Sequence, residues 1–419
     1  MAETTDVVVI GAGPAGTMAA VEASRQAVDV VVLEEHPIVG DPNHCSGLIT
    51  TKGLARLGVP YPRSIVDNSV NAVNFYSPSG HKLTVRRSKK GEIHVFQRAE
   101  LDRVLHQYAV DKCGVDSRSN SRVTQLLQKN GRVAGVRVKP KQGEPYDLHA
   151  QYVVDASGAN TTFTRAVNLC PPDPHWRLPA LQYELDKVDD FPDNFVELYH
   201  GRAWAPGFFA WIIPTCGGTA RIGLATWKQE RSVVKRFLDR FMTRHPVASK
   251  VLEGAQIVKK RGGVVTATGP VDRSYAPGYL AVGDVAGQVK ATTGGGVNVG
   301  GFCGRLAGHA IGRGLQEGRS DWWVGQTYEH WWKGRYYVEL KLMEVYRKTI
   351  GAVDDTTLDR LFGAAATSPF ASKLGDTSDI DLHSIDLLRA GAQSLTPKVV
   401  RAMVRTSPQL LYRLGQTIL

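Results

Sequence analysis

The chain has 419 residues, 42% hydrophobic and 22% charged, which excludes a disordered or low-complexity protein and calls for more than one core layer. A formal net charge of +11 favours anionic partners, phosphorylated substrates or an acidic membrane surface, and no zinc-finger, RNP or helix-turn-helix pattern accompanies it to suggest nucleic acid. The five cysteines (Cys45, Cys113, Cys170, Cys216, Cys303) form no CxxC pair, which excludes a disulfide scaffold or zinc site and suits a reducing compartment.

DVVVIGAGPAG (6–16) reads as a buried strand, a tight glycine turn and a helix from about Pro14. Gly11 permits the turn, Gly13 lets main chain approach a pyrophosphate, and Gly16 lets helix and strand pack closely. With Ala15 on its first turn, the helix end offers free amides and a positive dipole end to the phosphates. The next strand, VDVVVLE (28–34), closes on Glu34, 23 positions beyond Gly11. A carboxylate there accepts ribose hydroxyls and favours FAD or NAD over NADP. Glu35 is a further candidate contact, with a solvated surface charge as its plain alternative.

An NAD enzyme would continue its strand–helix alternation directly, and this chain does not. An irregular segment follows (36–53), containing GDPNHCSGLIT (40–50). Then come a strand and amphipathic helix, HVFQRAELDRVLHQYA (94–109), a hairpin strand, RVAGVRVK (132–139), and a strand ending in YVVDASGANTTFTR (152–165). Much later stands GYLAVGDVAGQVKATTGGGVNVGG (278–301). No second glycine fingerprint appears, so no nicotinamide domain is visible. RRSKK (86–90) reads as a solvated hairpin tip or a greeting for a lipid phosphate.

This order resembles the FAD-dependent aromatic hydroxylases and geranylgeranyl reductases over most of residues 5–315. The resemblance implies that Asp284 holds the flavin ribityl chain and that Arg98, opening its helix, lies near the pyrophosphate. Asp155 and Gly158 match the group's middle Asp-Gly signature loosely, as Asp-Ala-Ser-Gly. Gly294, Gly295 and Gly296 would let main chain lie against the flavin ring, with a helix from Val297 facing its N1–C2=O edge. A partly buried helix N-terminus stabilises negative charge there by up to ~2 kcal/mol.

Two stretches point to the subclass. Pro42, Cys45 and Gly47 fit the proline–cysteine–glycine run of geranylgeranyl reductases, and Phe209, Trp211, Ile213 and Pro214 in FFAWIIP (208–214) occupy the places of that family's substrate-side strand. The chain is therefore identified as a member of the geranylgeranyl reductase family, of the archaeal lipid-saturating kind. The resemblance implies reduction of isolated double bonds in geranylgeranyl chains on membrane ether-lipid precursors, by hydride from flavin N5 plus a proton. The partners are then a prenylated lipid and a reduced donor, a ferredoxin-like carrier or NAD(P)H. A flavin monooxygenase or halogenase of the same fold, a quinone side-chain reductase and a redox-silent lipid binder are the competing readings. Cys45 has four readings: redox thiol, metal ligand, core filler, or active-site wall and proton source. The last is preferred, with His44 as a lesser donor and no metal expected.

The expected fold is α/β: a Rossmann-like FAD-binding domain (1–70, 94–170, 260–318) interleaved with an antiparallel-sheet substrate domain (71–93, 171–259), plus a helical C-terminal region (319–419). In that region Tyr328, Trp332, Tyr336, Leu340 and Met343 fall at helical spacing, as core or as a cap over a prenyl tunnel. The basic amphipathic tail (396–419) suits an anionic membrane or ordinary docking. Strand-like opening residues leave no room for a signal peptide, and nothing approaches about 18 uninterrupted apolar residues. The expected location is cytoplasmic, peripheral on the inner membrane face.

Overall fold

A continuous β-branched run suits a sheet covered on both faces. Val7–Ile10 and Val30–Leu33 lie at the centre of such a sheet, each residue 6% exposed or less. The computed structural model describes residues 3–43, 45–87, 93–188, 191–228, 230–366 and 370–375, with Asp381, His383 and Ser384. Its first sheet runs Tyr275–Ala276, Tyr279–Ala281, Tyr146–Asp155, Glu3–Ile10, Val30–Leu33, Asp116–Arg118. From Tyr279–Ala281 onward every neighbouring pair is parallel. The hairpin Ser121–Lys129 and Arg132–Pro140 extends it antiparallel beside Tyr146–Asp155.

The helices Pro14–Ser24 and Val297–Gln316 pack tightly on one face of this sheet. Gly300, Gly304, Gly308 and Gly312 recur every fourth residue and so share one helix face. A Cβ at Gly304 would stand 2.1 Å from the Ala15 carbonyl oxygen, and one at Gly308 2.2 Å from that of Ala19. The two backbones therefore touch, with Ala15, Ala19 and Ala23 on the facing side. The contact brings the N-terminal ends of both helices to the same cavity.

The second sheet has seven strands, in the order Gln256–Thr266, Arg177–Asp186, Ala220–Ala225, Phe209–Pro214, Phe195–His200, Ala72–Tyr76, Lys82–Arg86. It is not wholly antiparallel: Phe195–His200 and Ala72–Tyr76 run parallel, and the chain leaves this sheet after the hairpin ending at Arg86 and returns only at Arg177. Strand Gln256–Thr266 pairs along its length with Arg177–Asp186, so the expected boundary at 260 falls inside a strand. Leu48–Thr50, Ile93–Phe96 and Val66–Val70 form a small third sheet.

Helices Asp321–Trp332 and Val338–Ala352 are joined through a π-turn, Lys333–Tyr337. The stripe Tyr328, Trp332, Tyr336, Leu340, Met343 is 2% exposed or less and belongs to the core between these helices and Val297–Gln316. The cap reading fails for those residues. The part passes to Tyr346 and Ile350 further along the same helix, and to the helix Asp355–Ala366. His44, residues 88–90 of the basic cluster and the 396–419 tail lie outside the described residues.

Candidate cofactor and substrate site

A cavity of about 1130 Å3 opens between the two large sheets. One end is polar and built from main chain. Ala12, Gly13 and Ala15 reach it from the first glycine turn, Ala156 and Gly158 from the Tyr146–Asp155 strand end, and Asp284 and Gly294–Val297 from the late glycine loop. The other end is apolar, with Val73, Phe75, Leu198, Phe209, Trp211 and Ile213 on the second sheet facing Leu358, Leu361 and Phe362.

The expected phosphate end is present in detail. Gly11 takes φ +96°, a backbone state that L side chains rarely adopt. Its carbonyl oxygen is where a Gly16 Cβ would fall, 2.0 Å away. Gly11 and Gly16 therefore shape the turn without lining the cavity. Glu34 accepts the Ala12 amide at 2.9 Å through Oε2 and approaches His36 Nδ1 at 2.6 Å through Oε1. A carboxylate has about four lone-pair sites, so acceptor capacity remains for ribose hydroxyls. Glu35 is a correction: it is exposed, 3.6 Å from Arg122, and does not reach the cavity. It lies past the end of the strand Val30–Leu33, in a bend that leaves it in solvent. Glu34→Gln should weaken FAD binding about 10- to 100-fold, the loss of a charge-assisted bond, while Glu35→Gln stays within about twofold; flavin titration measures both.

Arg98 opens the helix Arg98–Cys113, is 7% exposed, lines the cavity and pairs with Asp102 one turn on. Burial opposes its charge, but Asp102 and then Cys45 outweigh it and hold the guanidinium above its ordinary value. Arg98 Nε is sealed from solvent without a protein partner. An orphaned donor beside a main-chain cradle fits a pyrophosphate. Asp284 is partly buried, and desolvation pushes its carboxyl up from its ordinary value. It faces the same cavity and fits a hydroxylated chain. Asp155, by contrast, does not line the cavity. It is a buried clamp, accepting from Tyr279 Oη at 2.5 Å and Ser157 N at 3.1 Å.

Cys45 lines the cavity and lies among the groups acting on Arg98. Gly47 does not line it. Its amide points at Cys45 Sγ at 3.4 Å, its carbonyl accepts Phe96 N at 2.8 Å, and it holds the loop rather than a ligand. Sequence reasoning missed the residue that fixes this loop from behind. Arg221, in the apolar strand ARIGLA, donates to Ser46 O at 2.7 Å and Phe96 O at 2.8 Å and pairs with Asp67 at 2.6 Å. A lone arginine in a buried strand was the available signal.

On the substrate side Phe209, Trp211 and Ile213 share one strand face and line the cavity, whereas Ala210 and Ile212 pack behind it. Pro214 falls on the other parity and does not line it, a second correction. Trp211 donates Nε1–H to Gln182 at 3.1 Å, which fixes its ring. Phe208, also missed, stacks on Phe209 with centroids 4.1 Å apart.

Lys290 of the glycine loop pairs with Asp381 at 2.6 Å, and Thr50 and Asn298 donate to the same carboxylate. Burial raises the Asp381 carboxyl, but Lys290 and these donors bring it below its usual value. Its stabilisation is thus present above the unfolded carboxylate value and is lost as pH falls through the folded one. Asp381→Ala should cost about 3 kcal/mol at neutral pH, as when one partner of a buried pair is removed, and less in acid; chemical denaturation at two pH values measures it. Among the described residues no three His, Cys, Asp or Glu side chains gather to hold a metal, and no helix is long and apolar enough to cross a membrane.

Comparisons with known proteins agree with this geometry. Residues 6–165 match the family of FAD dependent oxidoreductases, and residues 178–265 match the geranylgeranyl reductase catalytic domain. A digeranylgeranylglycerophospholipid reductase of Methanopyrus kandleri is 30% identical over 336 residues, 79% of this chain and 86% of that protein. The chain belongs to the geranylgeranyl reductase family. A second family member, the Methanocaldococcus jannaschii digeranylgeranylglycerophospholipid reductase, is 28% identical over 97% of this chain and 96% of its own. The crystal structure of a geranylgeranyl bacteriochlorophyll reductase-like protein from Thermoplasma acidophilum superposes with TM-score 0.84 at 25% identity, over 97% of this chain and all of that one. A flavin-dependent brominase shares the fold at TM-score 0.67 and 19% identity, over 82% of this chain and 87% of its own. This geranylgeranyl reductase family member is an FAD-dependent oxidoreductase, and the polar end of its cavity is where the cofactor fits.

Proposed function

We propose that the chain saturates isolated double bonds of geranylgeranyl chains on membrane ether-lipid precursors. The carrying observation is that one cavity joins a dinucleotide cradle to an aromatic, apolar chamber. Long prenyl chains are recognised by area and shape, which Phe209, Trp211 and Ile213 provide.

Bound FAD supplies a hydride. The chain's own residues do the rest. Gly13 and Arg98 hold the pyrophosphate, Glu34 the ribose and Asp284 the ribityl chain. The loop Gly294–Gly296 gives a flat bed without side chains; a Cβ at Gly294 would meet Val265 Cγ1 at 2.4 Å. The apolar wall aligns the alkene and excludes water. An isolated alkene is not polarised, so one carbon needs a proton as the other receives hydride, and Cys45 Sγ is the proposed proton source. The two additions together convert C=C to CH–CH. The electrons come from a reduced carrier or NAD(P)H.

The cavity rim suits entry from a bilayer. Val264 and Tyr346 line the cavity and are 48% and 43% exposed. Val258, Lys259 and Lys260 are exposed on the same edge strand as Val264. Apolar and basic groups together favour an anionic lipid surface. The function is tested by chemically reducing the FAD-loaded protein without oxygen and adding digeranylgeranylglyceryl phosphate. The reading expects lipid-dependent return of the yellow colour. Return of colour only on admitting air would transfer it to the oxygen-using enzymes of this fold.

A further inference from the structure

Arg347, in the helix Val338–Ala352, is 3% exposed. Among the described residues it has no ion-pair or hydrogen-bond partner, and its Nε is sealed from solvent unbonded. Its guanidinium stands 5.1 Å from the centre of the Phe208 ring. Burial pushes its pKa down to about 10, so it remains charged at neutral pH. Burying an unpaired cation is strongly unfavourable unless something compensates it.

His200 lies close by. Burial and then the Arg347 charge push its imidazole down to about 3, so the ring is neutral. Its Nδ1 is also buried without a partner. Both residues line a small cavity of about 10 Å3. His200, Phe208, Ile350 and Leu358 line this cavity and the large one alike, so the two share a wall. No carboxylate lines the small cavity; Arg202 lines it too, and donates to the carbonyls of Gly351 and Ala352. A positive charge, an imidazole and no acid form a site for an oxyanion rather than a cation.

We propose that Arg347 and His200 form the subsite for the phosphate of the lipid substrate, at the corner of the large cavity that His200 lines directly and that Arg347 backs from behind the Phe208 ring. The inference rests on the prenyl-lipid reading above and adds where the head group is held. The prenyl chains then run from this corner along the Phe209–Trp211 wall.

The test uses FAD-loaded wild-type protein and Arg347→Met, a side chain of similar length without charge. Digeranylgeranylglyceryl phosphate, digeranylgeranylglycerol and inorganic phosphate are the probes. The wild type should show KM for the phosphorylated lipid about tenfold or more below that for the neutral one. Arg347→Met should lose that preference with kcat nearly unchanged, and Arg347→Lys should recover part of it. Inorganic phosphate should raise the melting temperature of the wild type and not of Arg347→Met. Equal impairment with both lipids, or equal stabilisation of both proteins by phosphate, would overturn the proposal. Phosphate stabilisation confined to the wild type but without preference for the phosphorylated lipid would assign the site to a free anion and overturn the head-group assignment. If the wild type reduces neither lipid, the functional reading fails separately, and binding of the two lipids followed by melting temperature decides the subsite.

Discussion

Gly13→Ala will fold normally and purify without colour. A Cβ added at Gly13 meets no protein atom within 4 Å, so the polypeptide accommodates it. Gly13 also lines the cavity, so the open space beside it is the cofactor's. One methyl group there holds the pyrophosphate away from the amides at the helix end, and several hydrogen bonds lengthen together. Loss of even two charge-assisted bonds weakens binding by about a thousandfold or more. Gly16→Ala is the informative contrast. Its Cβ would stand 2.0 Å from the Gly11 carbonyl oxygen and 3.0 Å from Val9, so the protein itself must shift. That variant should lose thermal stability as well as FAD. Circular dichroism and flavin absorbance on the two proteins separate a filled cradle from a broken one. Retention of FAD by Gly13→Ala would place the cofactor elsewhere.

Cys45→Ala will keep its flavin and lose turnover. As a proton source in the rate-limiting addition, a side chain contributes about 10²- to 10⁴-fold. The expected fall in kcat is of that order, with FAD affinity within about threefold because the Arg98–Asp102 pair persists without the thiol. Cys45→Ser should keep part of the activity, having a transferable proton and a smaller atom. A solvent isotope effect on kcat should accompany the wild type and change in the variants. The opposite pattern, unchanged kcat with weakened FAD, would make Cys45 a prop for Arg98 and remove it from the chemistry.

Local patterns were legible wherever one short segment does the work. The glycine turn, its following helix and the closing Glu34 lie within about thirty residues, and each has its own physical signature. The family resemblance along FFAWIIP grouped Phe209, Trp211, Ile213 and Pro214, and strand alternation is what separates Pro214 from the other three. What stayed hidden depends on distant partners. Gly300, Gly304, Gly308 and Gly312 read in sequence as a weak helix; only the facing Ala15 and Ala19 backbone makes them a packing surface. Lys290 and Asp381 are separated by 91 residues, and Arg347 and His200 by several intervening helices and strands, so neither pairing leaves a local signal. The aromatic stripe at Tyr328–Met343 was ambiguous because helical period fixes which residues share a face and not what that face meets.

The cofactor cradle and the apolar chamber together act on one prenyl chain in the proposed reaction. Mass spectrometry of digeranylgeranylglyceryl phosphate, after incubation with reduced, FAD-loaded protein in deuterated water without oxygen, tests it most directly. Stepwise saturation is expected, each reduced bond adding two hydrogens, at least one of them deuterium from solvent through an exchangeable group such as the Cys45 thiol. Recovery of the lipid unchanged, from protein whose flavin reduces and binds normally, would contradict it.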